Sequence, residues 1–372
     1  MSDLRNSPVS ERSDIYYWKC DRKAAFHGTQ QDAVARNEDE LFRQAGNFLS
    51  KVWGKPVTLR SAQTQGNHLG AFAEAEGQTW FVRIEDGPEK NAYMEVESYV
   101  LKRLHEIGLP VPEVRFCDAS RTRVPFAIQV IERIAEPDLN KALKSGALQW
   151  DRIAPAIGQA VALWQTLPLS GFGPFQISKV RDDQQLVGIH QTYPSYFTLN
   201  LHRHLDFLSQ HGFLNSQETI RIVHAIREHE HLLHLSSPCL VHKDLALWNI
   251  LGSPDAISSF IDWDDCIGGD PLDDFSLLAC FHDAGIVGKC LAGYRSIRPL
   301  PHDAIPRFWL HLLRNMIVKS VIRVGAGYFD RSDNFFLIAS GQAGSDLRSF
   351  TRQRLFTALD ALEESRQELF YE

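Results

Sequence analysis

With 372 residues, 44% of them hydrophobic and 23% charged, the chain has enough apolar surface for one large or two ordinary cores and reads as an ordinary soluble globular protein. A formal net charge of -7 argues against a general nucleic-acid binder, because counterion-release binding needs clustered Lys and Arg. The start, MSDLRNSPVSERSD, lacks the apolar run of a signal peptide, and no stretch of about 18 apolar residues suits a bilayer span. The six cysteines, Cys20, Cys117, Cys239, Cys266, Cys280 and Cys290, have neither CxxC spacing nor the density of a disulfide framework. The expectation is a cytoplasmic protein with reduced thiols and with no nucleic-acid or membrane partner.

Residues 1–40 read as an N-terminal extension, polar and mixed, whose aromatic island DIYYWKC is expected to pack against the body. Leu41, Phe42, Ala45, Phe48, Leu49, Val52 and Trp53 then fall at helical spacing, and Lys55-Pro56 ends that helix. Three β-type stretches follow, 57–64, 70–76 and 79–85, separated by the turn-forming QGNH and EGQ, which predicts an antiparallel meander. In TWFVRIE the alternation sets Trp80, Val82 and Ile84 on one face and Phe81 and Arg83 on the other. NAYMEVESYVLKRLHEIG reads as a helix with Glu97 on the same face as Tyr93, Val100, Leu101 and Leu104, so a strand cation and a helix carboxylate both point inward. LPVPEV interrupts it, and PFAIQVIERI is a further strand. From about Asn140 the pattern is mainly helical: APAIGQAVALWQTL, SYFTLNLHRHLDFLSQHG, SQETIRIVHAIREHEHLLHL and IPRFWLHLLRNMIVKSVIRVG have a 3.6-residue period. A short β-rich island, Cys239 to Trp263, lies between the last two.

That island carries the chemistry. LVHKDLALWNIL, residues 240–251, sets His242, Asp244 and Asn249 among apolar residues, where an unpaired carboxylate costs several kcal/mol or is forced to protonate. The turn GSPDA and a second strand, ISSFIDWDD, complete a hairpin-like unit that delivers Asp244, Asn249 and Asp262 from its ends. An all-oxygen set suits Mg²⁺, which is typically completed by a nucleotide's phosphates. The spacing H-x-D-L-x-x-x-N is that of a kinase catalytic loop, followed by a metal-binding Asp beyond a hairpin. One carboxylate then orients and deprotonates an attacking hydroxyl, while an amide and a second carboxylate hold Mg²⁺. Arg83 takes the role of the phosphate-binding cation and Glu97 that of its anchor. His242 reads as a structural residue of the loop. HAIREHEHLLH is not a zinc helix, because the second His of H-E-x-x-H would fall at residue 233, which is Leu. Trp164, Trp248 and Trp263 read as core.

With these motifs the sequence resembles the aminoglycoside phosphotransferase and choline kinase-like superfamily, the small-molecule branch of the protein-kinase-like fold. IDWDDCIGGDPLDDFSLL, GLPVPEV, GFGPF and LVHKDLALWNIL are similar to that family's signatures in the same order, over roughly residues 41 to 300. The resemblance implies an α+β, two-lobed fold, with a small antiparallel-sheet N-lobe over 41–134 and a larger helical C-lobe over 135–372 that holds the catalytic loop and acceptor site. It implies Asp244 as catalytic base, Asn249 and Asp262 as magnesium ligands, and backbone from Gln129 through Glu132 to Ile134 against the adenine. Asp270 and Asp274 would order the loop and helix behind the site. Lys243 stands where Gly is frequent, Trp248 is bulky for its slot, Trp164-Gln165 replaces Leu-His, and Arg83 replaces the usual Lys. SAQTQGNHLGAF resembles the nucleotide-covering loop without its G-x-G-x-x-G. The expected activity is ATP- or GTP-dependent phosphorylation of a small-molecule hydroxyl, with antibiotics, amino alcohols and sugars as acceptor classes. The alternatives are a nucleotide-binding module without turnover and a protein kinase; the intact Asp244, Asn249 and Asp262 oppose the first, and the lack of D-F-G and A-P-E opposes the second.

Overall fold

The computed structural model describes residues 12–22, 37–62, 68–87, 89–330 and 344–369. After a one-turn helix α1 (Trp18–Asp21), helix α2 (Glu38–Trp53) starts at Asn37, whose side chain accepts from the Glu40 amide, and stops at Gly54 in the left-handed conformation. Strands β1 (Thr58–Ser61), β2 (Leu69–Ala75) and β3 (Gln78–Glu85) form the predicted meander. Glu76 and Gly77, at φ of 50° and 77°, make the tight turn between β2 and β3. Residues 63–67, which fall between β1 and β2 and within the expected nucleotide-covering stretch SAQTQGNHLGAF, lie outside the described residues. Helix α3 (Met94–Glu106) is followed by β4 (Val114–Asp118), a strand the sequence reading did not foresee, and by β5 (Ala127–Glu132). The five strands make one antiparallel sheet in the order β1-β2-β3-β5-β4.

The period-2 alternation of β3 decides what each face of the sheet does. Val82 and Ile84 join Ala71, Ala73, Ile128 and Val130 in a core beneath Phe42, Ala45, Phe48 and Leu49 of α2. Arg83 emerges on the opposite face, toward Glu97 of α3. One face of the sheet thus packs on α2, while the other sends Ala127 and Ile131 into a core shared with α3 and carries the buried ion pair.

The second lobe is built around helix α5 (Trp150–Trp164), which follows the short α4 (Leu139–Lys144). Strand β6 (Phe172–Phe175), helix α6 (Ile177–Asp183), strand β7 (Gly188–His190) and helices α7 (Tyr193–Phe197), α8 (Leu201–Gln210) and α9 (Ser216–Glu228) come next. The single helix expected over SYFTLNLHRHLDFLSQHG is two, α7 and α8, because Asn200 adopts φ +57° and breaks the run. Strands β8 (Cys239–Val241), β9 (Ile250–Ser253), β10 (Ala256–Phe260) and β11 (Ile267–Gly269) then precede helices α10 (Asp273–Ala279), α11 (Ala284–Arg295), α12 (Ala304–Gly325) and α13 (Gly344–Glu363). β9 and β10 form the predicted hairpin, while β8 joins a four-stranded sheet in the order β7-β6-β11-β8. Helices α5 and α11 cross in close contact: a Cβ on Gly158 would meet the Cys290 carbonyl oxygen at 1.8 Å, and one on Gly293 would meet that of Pro155 at 2.1 Å. This contact holds α5 in position, and its last residue, Trp164, packs edge-on against Trp263 and Phe260 and beside His242.

Candidate active site

The loop that leaves β8 is tied down from behind. The backbone amides of His242 and Lys243 donate to the two carboxylate oxygens of Asp274 at 2.9 and 3.0 Å, while Lys243 turns through a left-handed φ of 67°. The Lys243 ammonium is buried, and Asp273 holds it at 2.7 Å. His242 is also spent on structure: Nε2 donates to the Ile261 carbonyl at 3.0 Å and Nδ1 accepts from the Asp244 amide at 3.3 Å. Burial pushes its pKa down to about 4, which fits a neutral ring that packs 4.4 Å from Trp263. Asp270 lies one step further back, where it accepts from Arg307 at 2.7 Å and faces His311 at 3.2 Å.

Asp244 sits at the tip of this loop with its side chain only 3% exposed. Its Oδ2 accepts from the Asn249 amide at 3.1 Å, and Asn249 also donates to the Asp244 carbonyl at 2.8 Å. Its Oδ1 accepts from the Tyr17 hydroxyl at 2.7 Å and lies 3.4 Å from the Lys319 ammonium. Lys19, 41% exposed, stands 3.8 Å from Oδ2. Burial alone would raise the pKa of this carboxyl, but Lys19, Lys319 and the Tyr17 hydroxyl outweigh it and hold the group well below the usual carboxylate range.

Asp262 stands at the far end of the β9–β10 hairpin at φ +67°, with 39% of its side chain exposed. Arg83 bridges to it across the cleft: one guanidinium nitrogen lies 2.8 Å from Asp262 Oδ1, and another donates to Glu97, which also accepts from the Trp263 amide at 3.0 Å. Burial works against charge on Arg83, yet Glu97 and Asp262 keep its pKa above the ordinary value. His68, Asp262 and Asp264 offer ligand atoms within 4.8 Å of one another, and burial with the Arg83 charge pushes His68 down to about 3, leaving it neutral. Removal from water and the charge of Asp264 push Asp262 up to about 8.

The fold brings together Arg83, Glu97, Asp244, Asn249 and Asp262 as the sequence reading expected. It treats the remaining candidates differently. Gln129 sits in mid-β5 between β3 and β4, so both edges of its backbone face other strands, and its side chain donates to Ser98 of α3 at 2.9 Å. Its backbone is therefore unavailable to an adenine, a correction to the expected span. Glu132, the last residue of β5, still gives its amide to the Glu113 carbonyl at 2.8 Å, and Ile134 lies beyond the strand. Sequence reasoning gave Tyr17, Lys19 and Lys319 no part in the site. The aromatic island does pack, as expected of it, but it also reaches the Asp244 carboxylate. Arg12 of the same segment donates to the Asp264 carbonyl and stacks on Tyr93.

Among the described residues no helix is long and apolar enough to cross a membrane. No curated protein matches the sequence. Among solved structures, the chain is similar to a thermostable mutant of the aminoglycoside phosphotransferase APH(4)-Ia in ternary complex with AMP-PNP and hygromycin B. The identity is 17%, with 86% of this chain and 98% of that one covered and a TM-score of 0.60. It is similar as well to the streptomycin-ATP-APH(2″)-IIa ternary complex, at 16% identity, 91% and 100% coverage and a TM-score of 0.52. A third is the macrolide 2'-phosphotransferase MphH from Brachybacterium faecium, at 18% identity, 78% and 93% coverage and a TM-score of 0.51. These likenesses establish the two-lobed, protein-kinase-like fold. A family model described as the phosphotransferase enzyme family (APH) matches residues 68–305, more than half of the sequence and the whole of the Arg83–Asp262 constellation, and the chain belongs to that family.

Proposed function

We propose that this protein transfers the γ-phosphoryl group of a nucleoside triphosphate, ATP or GTP, to a hydroxyl of a small molecule. The observation that carries the reading is the pairing of a buried, ionised Asp244 with Asn249 on one side and an Arg83-bridged Asp262 on the other. A proton acceptor and an oxygen ligand set thereby share one site, which is what in-line phosphoryl transfer requires. In this reading Asp244 orients the acceptor hydroxyl and takes its proton. Arg83, held by Glu97, binds the phosphates, and the chain beyond Glu132, from Ile134 onward, meets the base.

The donor set fits Mg²⁺. Asn249 spends its amide nitrogen on Asp244, which leaves the amide oxygen as its ligand atom, and Asp262 stands half-exposed beside Asp264. Removal from water and the charge of Asp264 raise the pKa of Asp262, and a cation held there would lower it again. Held by Asn249 and Asp262, the ion would neutralise charge on the nucleotide's phosphates. Relatives crystallised with AMP-PNP and hygromycin B, or with ATP and streptomycin, support a nucleotide and a hydroxyl-bearing small molecule as the two substrates. The acceptor classes to test are aminoglycosides, macrolides, amino alcohols and sugars.

The test is a thermal-shift screen with Mg²⁺-ATP and Mg²⁺-GTP, alone and with those acceptors, followed by a phosphate-transfer assay on the hits. A nucleotide-dependent rise in Tm and turnover of at least one acceptor are expected. No response to either nucleotide would refute the reading.

A further inference from the structure

The hydroxyl that lies against Asp244 belongs to the protein itself. Tyr17 Oη donates to Asp244 Oδ1 at 2.7 Å, inside the range of about 2.6–3.2 Å in which a general base takes a proton from its acceptor. The other oxygen of the same carboxylate faces Asn249, the candidate metal ligand. Tyr17 and Asn249 thus stand on opposite oxygens of the proposed base.

This placement is built, not incidental. The backbone amides of Tyr16 and Tyr17 both donate to Asp21 Oδ2 at 3.0 Å, and Asp21 Oδ1 lies 2.8 Å from His204 Nε2. Arg314 lies 3.7 Å over the Tyr16 ring, and Tyr196 donates its hydroxyl to the Tyr16 carbonyl at 2.8 Å. Tyr16, Tyr17 and Cys20 belong to the main hydrophobic core, which joins α3 to the second lobe. A hydroxyl fixed in this way has its orientation settled before reaction. Burial and Asp244 keep the phenol protonated, so it arrives with a proton to lose. The surroundings also suit the product: Lys319 Nζ stands 3.1 Å from Tyr17 Oη, and Lys19 reaches the same carboxylate from the exposed side. Two ammonium groups are thus at hand for a phosphate dianion.

We infer that Tyr17 is a phosphoryl acceptor in cis, so that the protein phosphorylates its own N-terminal segment at Tyr17 when no small-molecule acceptor is engaged. The inference rests on the phosphotransferase reading above. In the step, the bond from the γ-phosphorus to the β,γ-bridging oxygen breaks and one from phosphorus to Tyr17 Oη forms. The phenolic proton passes to Asp244 Oδ1 and on to solvent, and the nucleoside diphosphate leaves with the electron pair.

The experiment incubates the full-length protein with Mg²⁺ and γ-labelled ATP or GTP without any acceptor, follows incorporation by intact mass, and maps the site by fragmentation. Nucleotide binding is measured in parallel by thermal shift. The expected result is up to one phosphoryl group per chain, on Tyr17, with a rate constant independent of protein concentration. That label is lost in Tyr17→Phe and in Asp244→Asn. Nucleotide binding without label on Tyr17, or labelling whose rate constant grows with protein concentration, would overturn the cis-acceptor assignment and leave the phosphotransferase reading standing. Absence of nucleotide binding would overturn both.

Discussion

Two carboxylates of the candidate site live in opposite surroundings. Asp244 is ringed by donors, with Tyr17 and Lys319 on one oxygen and Asn249 and Lys19 on the other, and its proton affinity is depressed. Asp262 has Arg83 on one oxygen, but removal from water and then the charges of Asp264, Glu97 and Asp244 push its pKa up to about 8. One carboxylate has two ammonium groups beside it; the other shares Arg83 with Glu97. In the proposed reading the difference is a division of labour: the Asp244 side would handle the proton with groups of the protein alone, whereas the Asp262 side would be completed by a cation brought with the nucleotide.

The bridge between the two sides is the first place to break this comparison. Glu97→Ala leaves the buried Arg83 without its closest partner and the Trp263 amide without its acceptor. A loss of about 3–5 kcal/mol in unfolding free energy is expected, with weaker nucleotide binding. Urea titration and nucleotide binding check it, and an unchanged urea midpoint would mean that the bridge carries little.

Acid should weaken the scaffold under the Asp244 loop next. His242 and His282 are both buried, and burial takes their pKa from the ordinary value near 6.5 down to about 4. As pH falls through 6.5 the unfolded chain binds protons that the folded chain refuses, so stability is lost between about 6.5 and 4, by up to roughly 3 kcal/mol for each histidine. His282→Gln should remove one share of that slope, as Tm measured at pH 7 and pH 4.5 will reveal. An identical slope in wild type and variant would contradict the assignment.

The finest test concerns the lysines. Burial favours protonation of Asp244, and Lys19 and Lys319 oppose it. Lys319→Met removes one of the two cations, so the pKa of Asp244 rises and the acid limb of the pH–rate profile of phosphoryl transfer moves to higher pH. A limb that stays in place would show that Lys319 does not act on the carboxylate.

The comparison also explains what the sequence could disclose. Arg83, Glu97, Asn249 and Asp262 were legible because each sits on an element with its own local signal: the alternation of β3, the face of α3, and the loop and hairpin after β8. The strand β4 was hidden by Pro110 and Pro112 just before it. The three-residue strands β7, β8 and β11 are too short to display a period, and the break between α7 and α8 depends on one asparagine in a left-handed conformation. Tyr17 and Lys319 lie 227 and 75 residues from Asp244 along the chain, and their approach to it follows from packing between distant elements, which no local pattern encodes. The extension read as mere packing thus holds half of the groups around the proposed base.

The measurement that tests the central claim most directly compares Asp244→Ala with Asp262→Ala, for both Mg²⁺-nucleotide binding and single-turnover phosphoryl transfer. Asp244→Ala should bind nucleotide as wild type does while transfer falls by about 10²–10⁴-fold. Asp262→Ala should lose the magnesium-dependent part of nucleotide binding itself. Wild-type transfer by Asp244→Ala, or equal loss of nucleotide binding in both variants, would contradict the account.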